Sequence, residues 1–285
     1  MNRHNVDQPH RAYVDANKKL IITHSSGFFS CCTIRLRKII NYYNEYLTFP
    51  VVDSSRQWSM YKDQPGDISQ MFFNTIDIAE PPTIPVTFST DVVEDQFSNY
   101  SMINFLDVGK FIKKYFSVSD DVKKFEEYLI QKYKIDVNNT IAVCYRGTDK
   151  KTETGIPTYT DIEEKIQVLK NQFPNHAIII RCDETEFCTY MHKKYPDIIF
   201  FEELRTVPSN ARSVQFYVPQ GKKVTTAQMF LATTQIFSKC SHVILNSGNV
   251  GMWICLYRNS MTGVSQYLNT SDSKRYTKNN WISCI

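Results

Sequence analysis

Glycine is scarce in this sequence, with nine residues in 285. The two glycine-rich phosphate-binding motifs, G-x-x-x-x-G-K-[ST] and G-x-G-x-x-G, are absent, which argues against a P-loop or a dinucleotide-binding site. The G-x-S-x-G and H-E-x-x-H motifs of hydrolases and zinc peptidases are absent too. No D-x-D pair is present to hold a metal ion against phosphates. An anionic ligand would therefore be bound by arginine, lysine and backbone N–H groups, and no metal is expected.

The sequence also has little net charge and no long apolar run. Lys+Arg 33 against Asp+Glu 29 gives a net charge of +4, an excess too small to indicate a nucleic-acid partner. No apolar run approaches the roughly 20 residues that span a membrane, and the polar N-terminal segment has no signal-peptide core. The eight cysteines form no C-x-x-C pair and are expected to be free thiols. These features predict a soluble, cytoplasmic protein.

Strands and helices alternate in the second half of the chain, which predicts an α/β fold with a parallel sheet. The predicted strands are the apolar runs 140–144, 177–181, 198–201 and 242–245. Thr160 and Glu163 form a capping-box pattern at the start of one helix. The first half opens with a strand over 20–23, followed by a helix over 31–46 that Ser30 is expected to cap.

A turn cluster at 136–139 separates two halves of similar size. We expect an N-terminal acceptor-side α/β domain over 1–136 and a Rossmann-like nucleotide-sugar-binding domain over 137–260. The tail over 261–285 is expected to pack back on the first domain. Ligands bind at the carboxyl ends of the strands in such domains, so the cleft between the two sheets is the expected site.

Two polar segments follow predicted strands of the second half. The first, Arg146-Gly-Thr-Asp-Lys150 with Glu153, comes directly after the strand over 140–144. An arginine there can bind phosphate through two parallel N–H bonds, and a lysine adds positive charge. The second, Ser247-Gly-Asn249, begins a helix whose free N–H groups favour phosphate. Taken separately, they are equally well read as a solvated loop and a helix cap, but their shared position at strand ends favours one anion site.

These two segments resemble two sequence blocks of a fucosyltransferase group, which comprises α1,6-fucosyltransferases, nodulation fucosyltransferases and protein O-fucosyltransferases. Arg146-Gly-Thr-Asp-Lys150, closely followed by Glu153, is similar to the group's R-R-T-D-K…E segment. Residues 236–250 are similar to its second block, a strand ending in a T-x-S-S-Q-like turn and a helix. The resemblance covers residues 140–258 and implies a GT-B-like fold of two Rossmann-like domains with a cleft between them.

The resemblance also implies roles for the two segments. Arg146, with Asp149 in the same loop, would bind the diphosphate of a nucleotide-sugar donor. Gly248 and Asn249, with Ser247 beside them, would bind the same diphosphate at the helix start. Lys150 and Glu153 would hold and deprotonate the acceptor hydroxyl; the group's glutamate lies one residue further along, at Thr154, so this role requires a one-residue gap.

The implied activity is an inverting, metal-independent glycosyltransferase that uses no cofactor beyond its nucleotide-sugar co-substrate. Its partners would be a nucleoside-diphosphate sugar and a glycan or glycoprotein acceptor. The resemblance implies GDP-fucose as donor. However, the group's guanine-contacting histidine is Cys144 here, and its base-reading aspartate is Thr233. A UDP sugar such as UDP-xylose is therefore a close competitor, and the enzyme would be a hexosyl- or pentosyltransferase.

Three further residues lie at the carboxyl ends of predicted strands. His24 and Asp53, in the first half, are candidates for the acceptor side or for an alternative base. Asp183, after the strand over 177–181, could accept a hydrogen bond from a ribose hydroxyl or simply cap the following helix. A non-catalytic nucleotide- or carbohydrate-binding protein that uses the same cleft is the alternative function, and it would have no use for a base such as Glu153.

Overall fold

Alternating apolar and polar runs divide the chain into short strands and longer helices. The computed structural model describes residues 11–269 except 79, 83 and 89–94, together with residues 280–284. Its strands are β1 (Ala12–Val14), β2 (Leu20–Ile22), β3 (Val52–Asp53), β4 (Phe73–Asn74), β5 (Ser117–Val118), β6 (Thr140–Tyr145), β7 (Ala177–Cys182), β8 (Ile199–Phe200), β9 (His242–Asn246), β10 (Val264–Tyr267) and β11 (Trp281–Cys284). Its α-helices are α1 (Phe28–Tyr46), α2 (Phe105–Tyr115), α3 (Asp120–Tyr133), α4 (Lys150–Glu153), α5 (Tyr159–Gln172), α6 (Thr185–Lys194), α7 (Lys223–Lys239) and α8 (Asn249–Arg258). Short 3-10 helices lie at Ser59–Tyr61, Ser69–Met71, Asp95–Phe97, Tyr100–Met102, Val137–Asn139 and Val214–Tyr217.

The larger sheet belongs to the second half and is mostly parallel. Among the described residues its strand order is β11-β10-β9-β6-β7-β8, in which β11 is antiparallel to β10. Strands β6, β7 and β9 are almost wholly buried because apolar clusters pack on both faces of the sheet. The chain order reverses between β6 and β9, so the loops that follow these strands diverge and leave a crevice. The predicted α/β fold is confirmed.

The first half has a smaller sheet, formed by β1, β2 and β3, in which β2 and β3 are parallel. Helix α1 begins at Phe28, three residues before the predicted start. Ser30 is therefore not the cap; it lies inside the helix, where its hydroxyl meets the Nε2 atom of His24 at 3.0 Å. The rings of Phe28 and Phe29 are each only 2% exposed, so burial of this pair, rather than a capping side chain, sets the start of the helix.

The start of α5 differs from the prediction by two residues. The capping box is formed by Thr158 and Asp161, not by Thr160 and Glu163. The Thr158 hydroxyl accepts from the N–H of Asp161 at 3.2 Å, and the Asp161 carboxylate accepts from the N–H of Thr158 at 2.7 Å. Asp161 has a shorter side chain than Glu163, but it is buried and long enough to form this reciprocal bond.

One apolar core runs through both halves of the chain. Phe29 of α1 stacks on Trp253 of α8 with ring centroids 5.9 Å apart, and the Trp253 ring is fully buried. A buried aromatic side chain of this size stabilises the fold by about 1.5–3 kcal/mol. The Trp253 indole N–H also donates to the Thr33 hydroxyl at 2.9 Å. Helix α8 is therefore held by the first half as well as by its own sheet.

The sequence predicts that the tail over 261–285 packs back on the first domain. Its described residues instead join the larger sheet. Residues 264–267 and 281–284 extend the larger sheet as β10 and β11, because the apolar side chains of Val264 and Tyr267 are buried beside β9. The Gln266 side chain reaches the first half, donating to the carbonyl of Ser98 at 2.9 Å and accepting from the N–H of Tyr100 at 3.0 Å.

All eight cysteines are free thiols, and six of them are buried, as predicted. Burial raises the pKa of the Cys255 thiol well above its ordinary value and that of Cys240 to about 12. These thiols therefore stay protonated and pack as small apolar groups. Within the described part of the chain, no helix combines the length and the apolar character needed to cross a membrane.

The capping box of α5 gives a direct test of the helix start. We expect Thr158→Ala to lower the free energy of unfolding by about 1 kcal/mol, because the N–H of Asp161 loses its hydroxyl acceptor. The matched control is Thr160→Ala, since Thr160 is exposed within the first turn and should change the same quantity little. Urea denaturation of both variants measures the difference; a larger loss for Thr160→Ala would restore the start predicted from the sequence.

Candidate functional site

A cavity of about 450 Å³ lies between the two halves, at the carboxyl ends of β6 and β7 and beside the first turn of α8. We call it the cleft cavity. Seven of the predicted site residues line it: His24, Arg146, Asp149, Lys150, Glu153, Asp183 and Asn249. Four do not line it: Asp53, Thr233, Ser247 and Gly248. The two sequence segments singled out above therefore meet at one place, although only part of the second segment reaches the cavity.

The backbone of Arg146 is fixed by an amide from the neighbouring strand. The Oδ1 atom of Asn246, at the end of β9, accepts from the Arg146 N–H at 2.9 Å. The Nδ2 atom of Asn246 donates back to the Arg146 carbonyl at 3.1 Å. This reciprocal pair locks the first loop residue across the strand reversal between β6 and β9. Asn246 was not predicted from the sequence, because an asparagine at a strand end is ordinary in turns.

Two carboxylates neutralise the guanidinium of Arg146. The Nη2 atom lies 2.8 Å from Asp149 Oδ1, and the Nε atom lies 2.7 Å from Asp183 Oδ2. Burial alone would lower the pKa of Arg146, but the two carboxylates outweigh burial and raise this pKa above its ordinary value. Burial raises the pKa of Asp149, yet the charge of Arg146 leaves it below its ordinary value. Arg146 therefore enters the cavity as a fully paired cation.

Asp183 organises the loop instead of capping α6. Its carboxylate accepts from the N–H of Gly147 at 2.9 Å and from the hydroxyl of Thr148 at 2.8 Å. Helix α6 begins at Thr185 with no side-chain cap, so the alternative reading of Asp183 as a cap is wrong. The loop also needs glycine at 147, because a Cβ atom there would overlap the carboxylate of Glu184.

Lys150 and Glu153 form an ion pair on the cavity wall. The Lys150 Nζ atom donates to Glu153 Oε2 at 2.5 Å and to Gln96 Oε1 at 3.2 Å. The side chain of Lys150 is 10% exposed and that of Glu153 is 36% exposed, so the carboxylate is the more accessible partner. Thr154, the next residue, is buried, and its hydroxyl accepts from the Asn269 amide at 3.0 Å.

A tyrosine from the first half covers the start of α8. The Tyr100 hydroxyl accepts from the N–H of Gly248 at 2.8 Å and donates to the carbonyls of Gly248 and Gln96. Gly248 has φ of 150°, a backbone angle that favours glycine. The Ser247 hydroxyl is buried and donates to the Tyr267 carbonyl at 2.9 Å. Two members of the second predicted segment are thus occupied by internal hydrogen bonds.

Asn249 lines the cavity, and its amide joins both halves. Its Nδ2 atom donates to Gln96 Oε1 at 2.9 Å, and its Oδ1 atom accepts from the Thr33 hydroxyl at 2.7 Å. Gln96 therefore accepts from Asn249 and from Lys150 with the same oxygen. Neither Gln96 nor Tyr100 was predicted as a site residue, since their partners lie 54 to 153 positions away and no local pattern links them.

A second arginine lies on the cavity wall. Arg181, on β7, is only 5% exposed and lines the cavity. Its Nη1 atom donates to the hydroxyls of Thr233 at 2.9 Å and Thr234 at 2.7 Å, and its Nη2 atom faces Cys144 Sγ at 3.8 Å. Cys144 and Thr233 stand at the two positions where the resemblance would put the base-contacting histidine and aspartate. Arg181 was not predicted as a site residue, because it stands at the end of an apolar run that is typical of a buried strand.

The two first-half candidates differ in position. His24 lines the cavity; burial, and then the charge of Arg11, lower its pKa to about 4, so its imidazole is neutral at pH 7. Asp53 does not reach the cavity, because its carboxylate accepts from the N–H of Ser55 at 2.8 Å and pairs with Lys19 at 3.5 Å. In the part of the chain that the structure describes, no group of three or more His, Cys, Asp or Glu side chains could hold a metal ion.

The fold matches solved structures, whereas no protein-family model and no curated protein matches the chain. NodZ α1,6-fucosyltransferase soaked with GDP-fucose aligns with a TM-score of 0.56 and 12% identity, over 87% of this chain and 94% of that chain. NodZ from Bradyrhizobium in selenomethionine form aligns with a TM-score of 0.53 and 13% identity over the same shares. This chain has the fold of NodZ. The GT-B-like architecture and the fucosyltransferase resemblance are therefore confirmed at the level of the fold.

The low pKa of His24 predicts a pH dependence of stability. The unfolded chain takes up this proton near pH 6.5 and the folded chain near pH 4, so the unfolded state binds more protons between these values. The free energy of unfolding should therefore fall as the pH drops through this window, by at most about 1.4 kcal/mol per pH unit from this group. Above pH 6.5 the contribution is fully present.

We expect His24→Gln to flatten the fall in stability between pH 6.5 and pH 4. Urea denaturation at several pH values measures the free energy of unfolding of the variant and the wild type. His192→Gln is the matched control, because His192 is exposed on α6, and it should keep the wild-type profile. An unchanged profile in His24→Gln would show that His24 is not buried as a neutral imidazole.

Proposed function

We propose that this protein is an inverting, metal-independent glycosyltransferase that moves a sugar from a nucleoside-diphosphate donor to a glycan acceptor. One observation carries the proposal: in a NodZ-like fold, the cleft cavity brings the paired Arg146 and the Lys150–Glu153 ion pair together at the strand reversal between β6 and β9. Ligands of α/β sheets bind at such a reversal.

Sugar transfer with inversion needs two groups on opposite faces of the anomeric carbon. A base removes the proton of the acceptor hydroxyl as its oxygen bonds to the anomeric carbon, and the bond from that carbon to the diphosphate oxygen breaks with its electron pair. Positive charge must then stabilise the departing diphosphate. Glu153 is the proposed base, Lys150 holds the acceptor oxygen, and Arg146, with Asp149 orienting it, donates to the diphosphate. Asn249 is the member of the second segment that lines the cavity.

Glu153 is favoured as the base because its carboxylate is partly exposed to the cavity. The resemblance puts a glutamate one residue later, at Thr154. Thr154 is buried against Asn269 and does not line the cavity, whereas Glu153 does. A one-residue gap in the alignment therefore places the carboxylate at the position that faces the cavity. His24 shares the cavity, but with a pKa of about 4 it would be a weak base at neutral pH. Asp53 does not line the cavity.

The proposed donor is GDP-fucose or a UDP sugar such as UDP-xylose. The NodZ structures of the same fold were obtained with GDP and with GDP-fucose, which supports GDP-fucose. Cys144 and Thr233 support the UDP sugar, because both contact Arg181 and neither supplies a carboxylate for the N–H groups of guanine. The proposed acceptor is a glycan or glycoprotein, and no cofactor beyond the nucleotide sugar is proposed.

Donor use gives the first test. We expect one nucleotide sugar from a panel of GDP and UDP sugars to raise the Tm of the protein and to be hydrolysed slowly without an acceptor. Both effects should persist in EDTA, because arginine and lysine side chains, rather than a metal ion, would stabilise the leaving diphosphate. Thermal shift and nucleotide release measure them. Loss of turnover in EDTA with recovery in Mn²⁺ would contradict metal independence, and no response to any sugar nucleotide would contradict the proposal as a whole.

The second test separates an enzyme from a binding protein. Glu153→Gln keeps the size and polarity of the side chain but cannot accept a proton, so turnover should fall by about two orders of magnitude or more while donor affinity stays near that of the wild type. Glu127→Gln, at an exposed position of α3, is the matched control and should leave both unchanged. If Glu153→Gln turns over at a rate near that of the wild type, Glu153 is not the base, and His24 becomes the next candidate to test.

A further inference from the structure

Arg181 is a buried cation without a carboxylate partner. Its hydrogen bonds go to uncharged groups: the hydroxyls of Thr233 and Thr234, the Phe230 carbonyl at 3.1 Å and the Cys144 thiol. Its guanidinium also lies 4.5 Å from the centre of the Phe230 ring. Among the described residues it forms no ion pair within 4.0 Å. Nothing in its direct contacts therefore balances the charge.

Two of the arginines that line the cleft cavity, Arg146 and Arg181, have opposite electrostatic surroundings. Arg146 has two carboxylates within 2.8 Å, and its pKa is raised. For Arg181, burial is the largest influence, and together with the charge of Arg146 it leaves the pKa below its ordinary value despite the nearby Cys144 thiol. Both guanidinium groups remain charged at neutral pH. Of these two buried cations, Arg181 is therefore the one without a carboxylate partner.

A buried charge is costly unless a counter-charge meets it. Arg181 lines the cavity, so an anion that enters the cavity can reach the guanidinium without displacing a carboxylate. At Arg146 the same anion would have to compete with Asp149 and Asp183. We propose that Arg181 is a phosphate-binding residue of the cleft cavity and supplies a buried positive charge, not paired with a carboxylate, to the diphosphate of the donor; this inference rests on the proposed function.

The surroundings of Arg181 argue against a purely structural role. The hydroxyls of Thr233 and Thr234 each donate to the Phe230 carbonyl at 2.9 Å, so both keep a partner when the guanidinium is removed. Loss of the side chain would therefore strand no buried donor in α7, and it would remove an unpaired charge. Arg258 is the contrasting case: it donates to the carbonyls of Ser238, Cys240 and Ser241 and does not line the cavity.

The test compares Arg181→Gln with Arg258→Gln, using inorganic pyrophosphate, UDP and GDP as probes. Isothermal titration gives the affinity and thermal unfolding gives the Tm. We expect Arg181→Gln to lower the affinity for pyrophosphate at least tenfold while its Tm stays at or above that of the wild type. Arg258→Gln should lower the Tm and keep the affinity, since it loses structural bonds outside the cavity. Arg181→Lys, which keeps the charge, should recover part of the affinity.

The outcomes separate this inference from the proposed function. If Arg181→Gln binds pyrophosphate as the wild type does, fails to fold, or loses Tm without losing affinity, Arg181 is a structural residue and the inference is wrong. Wild-type protein that binds no pyrophosphate overturns it as well. If Arg181→Gln loses pyrophosphate binding but the wild type turns over no nucleotide sugar, the anion site stands and the glycosyltransferase proposal falls.

Discussion

The loop that follows β6 depends on one buried carboxylate. Asp183, at the end of β7, accepts from the backbone of Gly147 and the hydroxyl of Thr148 and pairs with the guanidinium of Arg146. Because these partners are consecutive, a single side chain fixes the path of the loop and the direction of its arginine. The entropy of ordering Arg146 is thereby lost on folding instead of on binding, which is the physical meaning of a preorganised site. The same carboxylate forms no direct ion pair with Arg181, whose pKa stays below its ordinary value because burial outweighs the nearby negative charge.

The elements of the second half could be predicted because their signals are local. Strands β6, β7 and β9 are uninterrupted apolar runs, and polar residues at their carboxyl ends meet at one sheet edge whatever the details of the loops. The sequence pattern therefore predicted that Arg146, Lys150 and Glu153 lie together at a cleft, and all three line the cleft cavity. The start of α5 was missed by two residues because Thr158 with Asp161 and Thr160 with Glu163 give the same pattern, and only burial of Asp161 chooses between them.

The remaining features of the site could not be predicted, because they depend on partners far apart in the sequence. Tyr100 meets Gly248 across 148 positions, and neither residue carries a local signal for the other. The tail was misplaced for the same reason: β10 is a short segment in which two of the four residues are polar, so its sequence does not show that it pairs with β9. Arg181 was overlooked because a sequence shows a charged residue without showing whether a counter-charge lies beside it.

The position of α8 has a consequence for how the molecule can be divided. Trp253 and Asn249 of α8 both bond to Thr33 of α1, and the apolar core continues from one half to the other without a break. A fragment cut near residue 136 would expose the Trp253 indole and lose the acceptor of its N–H group. Because this core is shared by both halves, we expect the halves to unfold together and two such fragments to associate before the shared core can form.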